Sequence, residues 1–395
     1  MQISRGLTLP DPVRINRYQR LPELGPRILF FSGGSALNQT ARALKTYTHN
    51  SIHLVTPFDS GGSSAVLRRA FGMPAIGDLR SRLMALADET VLGHPEVIRL
   101  FTHRLPKQEA PEELLHTLLD MVGQQHPLIN QIPNPMRDLI CNQLEYFLDA
   151  MPKSFDLRGA SIGNLILAGG YLNNSSKLEP ILFLFSKLVN VRGAVTPIVN
   201  ARLHLGAELQ DGQVIIGQHR MTGKEEAPLT SPIADLFLTR SLDHAEPTTI
   251  ELSPKKRSVI DQADLICYPP GSFFSSLLAN LLPTRVGKAI ADNPNPKVYI
   301  PNLGKDPEQL GLSPTDCILR LLSALRRDAG QDVPTNKLLS LVLCDPAHAA
   351  EFDQAQLDAL GIPLITTPLL KTGDTPASAK GYDEDKLVCA LLSLT

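Results

Sequence analysis

The stretch that decides the fold is RILFFSGGSALNQTARALK, residues 27–45. Its apolar run RILFF predicts a buried strand, and LNQTARALKTY (37–47) predicts a helix. SIHLVT (51–56) predicts a second strand. Together these segments form a strand–helix–strand unit of about 30 residues, which favours a parallel sheet.

Further strand-length apolar runs follow, with helical patterns between several of them: DLICY (264–268), KVYIP (297–301), LLSLVLC (338–344) and PLITT (363–367). Alternating strands and helices are typical of the α/β class, so we expect a Rossmann-like, doubly wound, mostly parallel sheet. Residues 194–218 alternate in polarity around an Asp-Gly turn, which predicts an antiparallel hairpin beside that sheet.

The pattern along the chain divides it into four segments. Residues 1–26 are polar and contain prolines, which predicts an N-terminal arm laid over the domain. Residues 27–105 form the first part of the α/β domain, and residues 106–155 are helical and mixed-polar, as expected of a helical insertion. Residues 156–395 form the remainder of the α/β domain.

Composition excludes several classes of protein. The chain has 395 residues and a formal net charge of −2, so no basic field attracts nucleic acid or anionic lipid. No apolar run reaches about 18 residues and the start lacks a signal-peptide core, so we expect a cytoplasmic protein without a membrane partner. The five cysteines are scattered, as expected of reduced thiols. Neither a nucleophile motif nor zinc-ligand spacing occurs.

Glycine-rich breaks follow the first two predicted strands. Gly33 and Gly34 let backbone amides approach a ligand, and the start of the next helix favours an anion. A plain strand-to-helix turn explains these two glycines equally well. The second break, PFDSGGSSAVLRRAFG (57–72), places Asp59 and a Gly-Gly-Ser-Ser run at the sheet edge where ligands bind in open α/β sheets. The alternative is that its serines cap the helix and Asp59 orders a turn.

Further small and polar residues extend this pattern. Gly271 and Ser272 follow the strand DLICY, and Asn302 follows KVYIP. Asn164 lies in the first turn of the apolar helix predicted within GASIGNLILAGGYL (159–172). A buried asparagine needs hydrogen-bond partners, which either a ligand or the protein core supplies. Asp78 begins another helix, where capping is the simpler interpretation.

These segments, in this order, resemble the superfamily of 2-phospho-L-lactate transferase, the CofD-like proteins, and are most similar to its gluconeogenesis-factor (YvcK) branch. The most specific block is VTPFDSGGSSAVLRRAFGMPAIGDLRSRLMALAD, residues 55–88. SGGSALNQTARALK, SIGNLILAG, the segment around NVRGAVTPIVNA and ADLICYPPGSFF also match. The resemblance covers most of residues 27–305.

The resemblance implies a nucleotide-containing ligand at the carboxyl edge of the sheet. In the transferase branch a phospholactyl group passes from a guanosine-diphosphate-linked donor to a deazaflavin, with magnesium. The gluconeogenesis-factor branch is thought to bind UDP-sugars and to regulate carbon flux without established catalysis. A homodimer is also implied.

Departures from the family pattern bear on the choice between a transferase and a regulatory binding protein. Ser32 and Ala36 replace two glycines of the family's first loop, and Ser60 replaces the second of its paired aspartates. Magnesium usually keeps one or two protein carboxylates beside phosphate oxygens, so Asp59 alone can serve as metal ligand and catalytic group. The loss of the second carboxylate weighs against metal-assisted transfer.

The sequence therefore predicts a nucleotide or nucleotide-sugar binding protein with a regulatory role. The alternatives are a magnesium-dependent transferase similar to 2-phospho-L-lactate transferase, and a scaffold whose pocket has decayed. Magnesium is a possible cofactor, and we expect no tightly bound organic cofactor. Besides Asp59, the expected ligand-binding residues are Gly33, Gly34, Ser35, Gly61, Gly62, Ser63, Ser64, Asn164, Asn200, Gly271, Ser272 and Asn302.

Overall fold

The computed structural model describes residues 6–223, 226–374, 379 and 381–395. The strands in chain order are β1 (Ile28–Ser32), β2 (Ile52–Val55), β3 (Ala194–Pro197), β4 (His204–Leu209), β5 (Val214–Ile216), β6 (Ile233–Thr239), β7 (Pro247–Thr248), β8 (Leu265–Tyr268), β9 (Lys297–Tyr299), β10 (Leu341–Cys344) and β11 (Leu364–Thr366).

The α-helices surround these strands. In chain order they are α1 (Pro12–Arg20), α2 (Asn38–Leu44), α3 (Gly62–Phe71), α4 (Gly77–Leu86), α5 (Pro95–Thr102), α6 (Pro111–Val122), α7 (Pro127–Asn130), α8 (Met136–Ala150), α9 (Ile162–Asn173), α10 (Leu178–Leu188), α11 (Pro254–Asp261), α12 (Val286–Asp292), α13 (Pro314–Ala329), α14 (Gln354–Leu360) and α15 (Glu384–Ser393). Among the residues that the structure describes, no helix is both long and apolar enough to span a bilayer.

The main sheet is parallel and has seven strands in the order β11-β10-β9-β8-β1-β2-β3. Every residue of β1 is buried. Leu29 and Phe31 face a core shared with β4, β6, α12 and α13, whereas Ile28 and Phe30 face a core shared with α2 and α15. Burial on both faces explains why this strand is a continuous apolar run. The predicted α/β class with a doubly wound sheet is confirmed.

The position of β1 defines where a ligand is expected. The chain runs from β1 outward through β2 to β3, and it later returns to place β8 on the other side of β1. The strand order therefore reverses between β1 and β8. The loops after these two strands lie side by side, and in open α/β sheets ligands bind at such a switch point.

The predicted hairpin starts later than the sequence indicated. Ala194–Pro197 pairs with β2 as the parallel edge strand β3, and the antiparallel hairpin consists of β4 and β5. β6 and β7 extend this hairpin into a separate four-stranded antiparallel sheet. An edge strand is only partly covered, so β3 alternates between exposed and buried residues as an antiparallel strand does.

Helices α3–α6 and α8–α10 share one apolar core beside the main sheet. The helices between residues 106 and 155 belong to this core, so they pack as part of a larger helical layer. The N-terminal segment contains α1, and the Asp11 amide donates to Ser393 Oγ at 2.8 Å. The segment boundaries proposed above remain predictions.

Candidate functional site

A cleft of about 650 Å³ lies at the carboxyl edge of the main sheet, between the loops after β1, β2 and β8. This volume is within the range of small-molecule sites. Nine of the predicted site residues line the cleft: Gly34, Ser35, Asp59, Gly61, Gly62, Ser63, Ser64, Asn164 and Ser272. The structure thus brings together residues from distant parts of the chain.

The other four predicted residues do not line the cleft. A Cβ on Gly33 would meet the Ser276 and Thr56 hydroxyls at 2.8 Å, so this glycine permits close packing beneath the loop. Asn302 holds the loop after β8, because its Oδ1 accepts from the Gly271 amide at 2.7 Å and its Nδ2 donates to the Gly271 carbonyl at 2.8 Å. Asn200 is exposed.

Several of the loop amides already have protein acceptors. The Gly34 amide donates to Asp78 Oδ2 at 2.7 Å, and the Gly61 amide donates to Asp59 Oδ1 at 3.0 Å. A phosphate can use the Gly34 amide only after Asp78 releases it. The sequence predicts that the glycine amides of these loops are free to bind an anion. In this conformation the Gly34 and Gly61 amides already donate to carboxylates of the protein.

Carboxylates also hold the segment after Ser272. The Phe273 amide donates to Asp306, and the Phe274 and Ser275 amides donate to Glu308 at 2.9 and 2.8 Å. This segment does not form a regular α-helix. It forms a π-helical turn over Phe273–Leu277 followed by a 3₁₀ turn over Leu278–Leu281, both fully buried.

Three helices begin at the cleft without a side-chain cap. They are α3, whose N-cap is Gly61, α4, whose N-cap is Ile76, and α9, whose N-cap is Ser161. The N-terminal end of a helix carries partial positive charge from amides that have no intrahelical partner. Three such ends at one cleft favour a negatively charged ligand.

A partly buried hydrogen-bond relay joins these three helices. Arg80 Nε of α4 donates to Asn164 Oδ1 of α9 at 2.8 Å, and Asn164 Nδ2 donates to Ser63 Oγ of α3 at 3.2 Å. Arg80 Nη1 also donates to the Phe101 carbonyl at 3.3 Å. Asn164 is 1% exposed, so its side chain is fixed by protein partners. The relay holds the guanidinium of Arg80 at the cleft wall.

Arg80 lacks a carboxylate partner. Within the described part of the chain it forms no ion pair, and its hydrogen bonds go to an amide oxygen and a backbone carbonyl. Burial and, to a smaller extent, the neighbouring charge of Arg104 lower the pKa of Arg80 to about 10. The group remains protonated near pH 7. A partly buried cation without a counter-ion is costly unless an anion joins it.

Two more cations reach the cleft from a segment that follows α5. The amide of Leu105 donates to the Ala160 carbonyl, and the Ile162 amide donates to the His103 carbonyl, so this segment lies against the start of α9. Arg104 and Lys107 thereby line the cleft. A fourth cation, Arg158, is already neutralised by Asp156 at 2.8 Å.

Ser161 supplies a free hydroxyl beside these cations. It is completely buried and lines the cleft, yet its Oγ has no hydrogen-bond partner among the described residues. Buried hydroxyls are normally satisfied, so the orphaned Oγ indicates a missing partner. The atom is shielded from solvent in this conformation, so a ligand oxygen would satisfy it once the Ser161 side chain or the adjoining loop shifts toward the cleft.

Ser60, which replaces an aspartate of the family pattern, is engaged by a histidine. Its Oγ lies 2.7 Å from His219 Nδ1 and accepts from the His219 backbone amide at 3.3 Å. His219 Nε2 lies 3.6 Å from Glu226 Oε1. The hydroxyl of Ser60 therefore takes part in a protein contact and does not replace the lost negative charge.

The residues present could hold only a metal ion that a ligand brings with it. No group of three or more potential metal-ligating side chains occurs among the residues that can be described. Asp59 and Asp78 both line the cleft, and each already accepts a backbone amide. Magnesium often binds through one or two carboxylates together with phosphate oxygens, which this pair of residues fits.

Sequence reasoning missed the cations and the orphaned hydroxyl. Arg80 lies within the recognised block, but its role depends on contact with Asn164, 84 residues away. Arg104 and Lys107 reach the cleft only because residues 103–105 lie against residues 159–162. The one available signal was that GDLR places an arginine in the first turn of a helix that follows a loop at the sheet edge.

The fold and the site are those of an α/β protein with a cleft at the switch point that is lined by Arg80, Arg104 and Lys107. The chain belongs to the CofD family, since the family profile described as 2-phospho-L-lactate transferase CofD matches residues 28–370. It is similar to the gluconeogenesis factor of Bacillus subtilis (strain 168), with 30% identity over 352 residues that cover 86% of this chain and 90% of that protein. The resemblance to the gluconeogenesis-factor branch is thus confirmed.

Two further comparisons agree. The gluconeogenesis factor of Listeria monocytogenes serovar 1/2a is 27% identical over 281 residues, which cover 71% of this chain and 68% of that protein. A crystal structure of a member of the UPF0052 family from Bacillus halodurans superposes with a TM-score of 0.65 at 24% identity, covering 93% of this chain and 99% of that one. This last likeness concerns the fold.

Proposed function

We propose that the cleft binds a nucleotide or nucleotide sugar through its pyrophosphate, and that the bound ligand regulates a partner process. The observation that carries the proposal is Arg80, a partly buried cation with fixed position and no carboxylate partner in the described chain. A phosphate group supplies the missing negative charge. Arginine also suits phosphate because its planar donors form paired hydrogen bonds.

The surrounding groups support a ligand with more than one phosphate. Arg104 and Lys107 add two positive charges along the same wall, and the orphaned Ser161 hydroxyl offers a hydrogen bond. The starts of α3, α4 and α9 add partial positive charge. The carboxylates of Asp59 and Asp78 lie in the same cleft, where they suit a sugar hydroxyl or a cation that accompanies the phosphates.

A regulatory role is favoured over catalysis by the residues around Ser60. The family's second aspartate is absent there, and Ser60 is held by His219. The similar proteins of Bacillus subtilis and Listeria monocytogenes are named gluconeogenesis factors, which supports a role in carbon flux. We further propose a cytoplasmic homodimer in which ligand occupancy shifts a conformational equilibrium that a partner reads.

The alternative is a transferase similar to 2-phospho-L-lactate transferase, supported by the family profile. Asp59 would then hold magnesium together with ligand phosphates, and the metal would neutralise charge on the transferred phosphoryl group. Arg80 and the helix starts would orient the donor, so that positioning and electrostatic stabilisation supply the rate enhancement.

Thermal-shift measurements test the proposal. We expect at least one of GDP, UDP, UDP-N-acetylglucosamine and NAD to raise the Tm, because a ligand that binds only the native state stabilises it. An unchanged Tm with all four ligands, with and without magnesium, would contradict the proposal and favour the scaffold alternative.

The Asp59→Asn variant separates the two functional classes. Asparagine retains an acceptor for the Gly61 amide but removes the negative charge. Stabilisation that requires magnesium in the native chain and disappears in Asp59→Asn would favour the transferase. Turnover of a phospholactyl donor by the native chain would establish that class, and stabilisation without turnover would favour the regulator.

A further inference from the structure

A second cavity adjoins the cleft on the other side of the start of α3. Its volume is about 650 Å³. Gly62 and His219 line both spaces, so they form the shared wall. The rest of the second cavity is built by α3, by the start of β4 and by the segment after β6. Of the ligand-binding residues expected from the sequence, Gly62 alone lines this cavity.

This second cavity is strongly basic. Four arginines line it: Arg68, Arg69, Arg202 and Arg240. The only carboxylate among its lining residues is that of Asp243. Among these lining residues four guanidinium groups face one carboxylate, and the nearby Asp59 carboxylate also acts on Arg68, so the wall carries a net positive charge. Within the described residues none of the four arginines forms an ion pair, and Arg202 and Arg240 have no hydrogen-bond partner either.

The guanidinium of Arg68 is held in a fixed position in the cavity wall. Its side chain is 3% exposed, and its guanidinium donates to the carbonyls of Phe58, Asp59 and Leu203 at 3.0, 2.8 and 2.5 Å. These acceptors are neutral, so they fix the group without cancelling its charge. The Nε atom is buried and has no partner in the described chain. Burial lowers the pKa of Arg68 to about 10, which leaves it protonated at pH 7.

His204 adds a polar but uncharged group. Its Nδ1 lies 3.2 Å from Arg68 Nη2, and the ring is 6% exposed. Burial, with the charges of Arg68 and Arg202, lowers the pKa of His204 to about 4, so the ring is neutral at pH 7. A neutral ring accepts the hydrogen bond from Arg68. The positive charge of the cavity therefore comes from arginines, which do not titrate in the physiological range.

We propose that this cavity is a second anion site, which binds a small phosphate-bearing metabolite separate from the ligand of the cleft. Clustered guanidinium groups repel one another, and a multiply charged anion relieves that repulsion. A wall of four guanidinium groups with net positive charge matches a phosphate ester or pyrophosphate better than a single carboxylate. The planar donors of arginine also fit phosphate oxygens in pairs. The proposal stands without any ligand in the cleft.

The shared wall allows the two sites to influence each other. Ser60 lines the second cavity, and its Oγ contacts His219, which lines both. An anion in the second cavity that contacts His219 would shift the loop that carries Asp59 and Gly61 through the contact between Ser60 and His219. Occupancy of the second cavity would then raise or lower affinity in the cleft, and the coupling must be reciprocal.

Isothermal titration calorimetry of the full chain with inorganic pyrophosphate tests the second site. The informative variants are R202Q/R240Q, which removes two charges from the second cavity, and R80Q, which alters the cleft. The matched control is R20Q/R99Q, which removes two exposed arginines from α1 and α5. We expect R202Q/R240Q to weaken one class of pyrophosphate site at least tenfold, whereas R80Q and R20Q/R99Q retain that class.

The outcomes distinguish this proposal from the proposed function. Unchanged pyrophosphate binding in R202Q/R240Q, or a loss equal to that in R20Q/R99Q, would overturn the second site. A single site that only R80Q removes would do the same while supporting the cleft. If R202Q/R240Q loses pyrophosphate binding and R80Q binds pyrophosphate as the native chain does, the result would support the second site and count against binding in the cleft. Tighter binding of citrate than of pyrophosphate at the second site would overturn its assignment to phosphate.

Discussion

The substitution Arg80→Gln tests the role of the unpaired cation in the cleft. Arg80 donates to Asn164 and to the Phe101 carbonyl, and no described carboxylate neutralises it. Glutamine removes the charge and shortens the side chain but keeps an amide donor. The loss of a hydrogen bond is offset by the removal of a partly buried, unpaired charge. We therefore expect the free energy of unfolding to change by only about 1 kcal/mol.

Ligand affinity should change much more. A hydrogen bond between charged groups contributes about 1.5–3 kcal/mol, because neither water nor a neutral group replaces it fully. If Arg80 contacts a ligand phosphate, Arg80→Gln should weaken binding roughly 10-fold to 150-fold, since each 1.4 kcal/mol corresponds to about a factor of ten. Arg158→Gln is the matched control, because Arg158 already pairs with Asp156 in the same cleft. That exposed pair contributes little, so we expect a change of at most about fivefold.

The assay is isothermal titration calorimetry with whichever nucleotide stabilises the native chain in the thermal-shift screen. Circular dichroism and chemical denaturation should confirm that both variants are folded. Equal affinities in the native chain and Arg80→Gln would refute the reasoning. So would equal losses in Arg80→Gln and Arg158→Gln, because the effect would then reflect general charge and not the unpaired position of Arg80.

Three further predictions follow from the contacts around the cleft. Asp78→Asn keeps an acceptor for the Gly34 amide but removes a negative charge, so calorimetry without magnesium should show tighter pyrophosphate binding by roughly 1 kcal/mol, and weaker binding under that condition would contradict this. Asn164→Ala removes both hydrogen bonds of the relay and leaves Arg80 Nε without an acceptor. Chemical denaturation should therefore show that the free energy of unfolding falls by about 1–3 kcal/mol, and an unchanged value would mean that the relay is not formed. Burial raises the pKa of Glu308 from 4.5 to about 7, so folding takes up a proton. The free energy of unfolding should therefore fall as pH rises from about 4.5 to 7, by about 2–3 kcal/mol more in the native chain than in Glu308→Gln, and identical pH profiles would contradict this.

The sequence predicted the buried strands well, for a physical reason. Six apolar runs correspond to β1, β2, β8, β9, β10 and β11, and the four central strands among them, β1, β2, β8 and β9, are buried at every residue. β3 was merged with the hairpin because an edge strand alternates in exposure. Alternation of polar and apolar residues shows that only one face of a strand is covered. It cannot distinguish the edge strand of a parallel sheet from a strand of an antiparallel hairpin.

The site was predicted in part. Glycines and serines next to strand ends are local features, so the loops of the cleft could be located from the sequence. The hydrogen bonds formed by these loops and by the cleft wall could not be predicted, because their partners are far apart in the chain. Asp78 and Gly34 are 44 positions apart, and Arg80 and Asn164 are 84 positions apart. Charge balance is likewise a property of the assembled fold, since it depends on which cations lack partners once the helices have packed.

The most direct test of the central claim is a crystal structure of the chain grown with a pyrophosphate-bearing nucleotide. The account predicts phosphate oxygens bonded to Arg80 and to Ser161 Oγ, beside the starts of α3 and α9. Phosphate bound elsewhere on the chain, with the guanidinium of Arg80 still facing no anion, would contradict it.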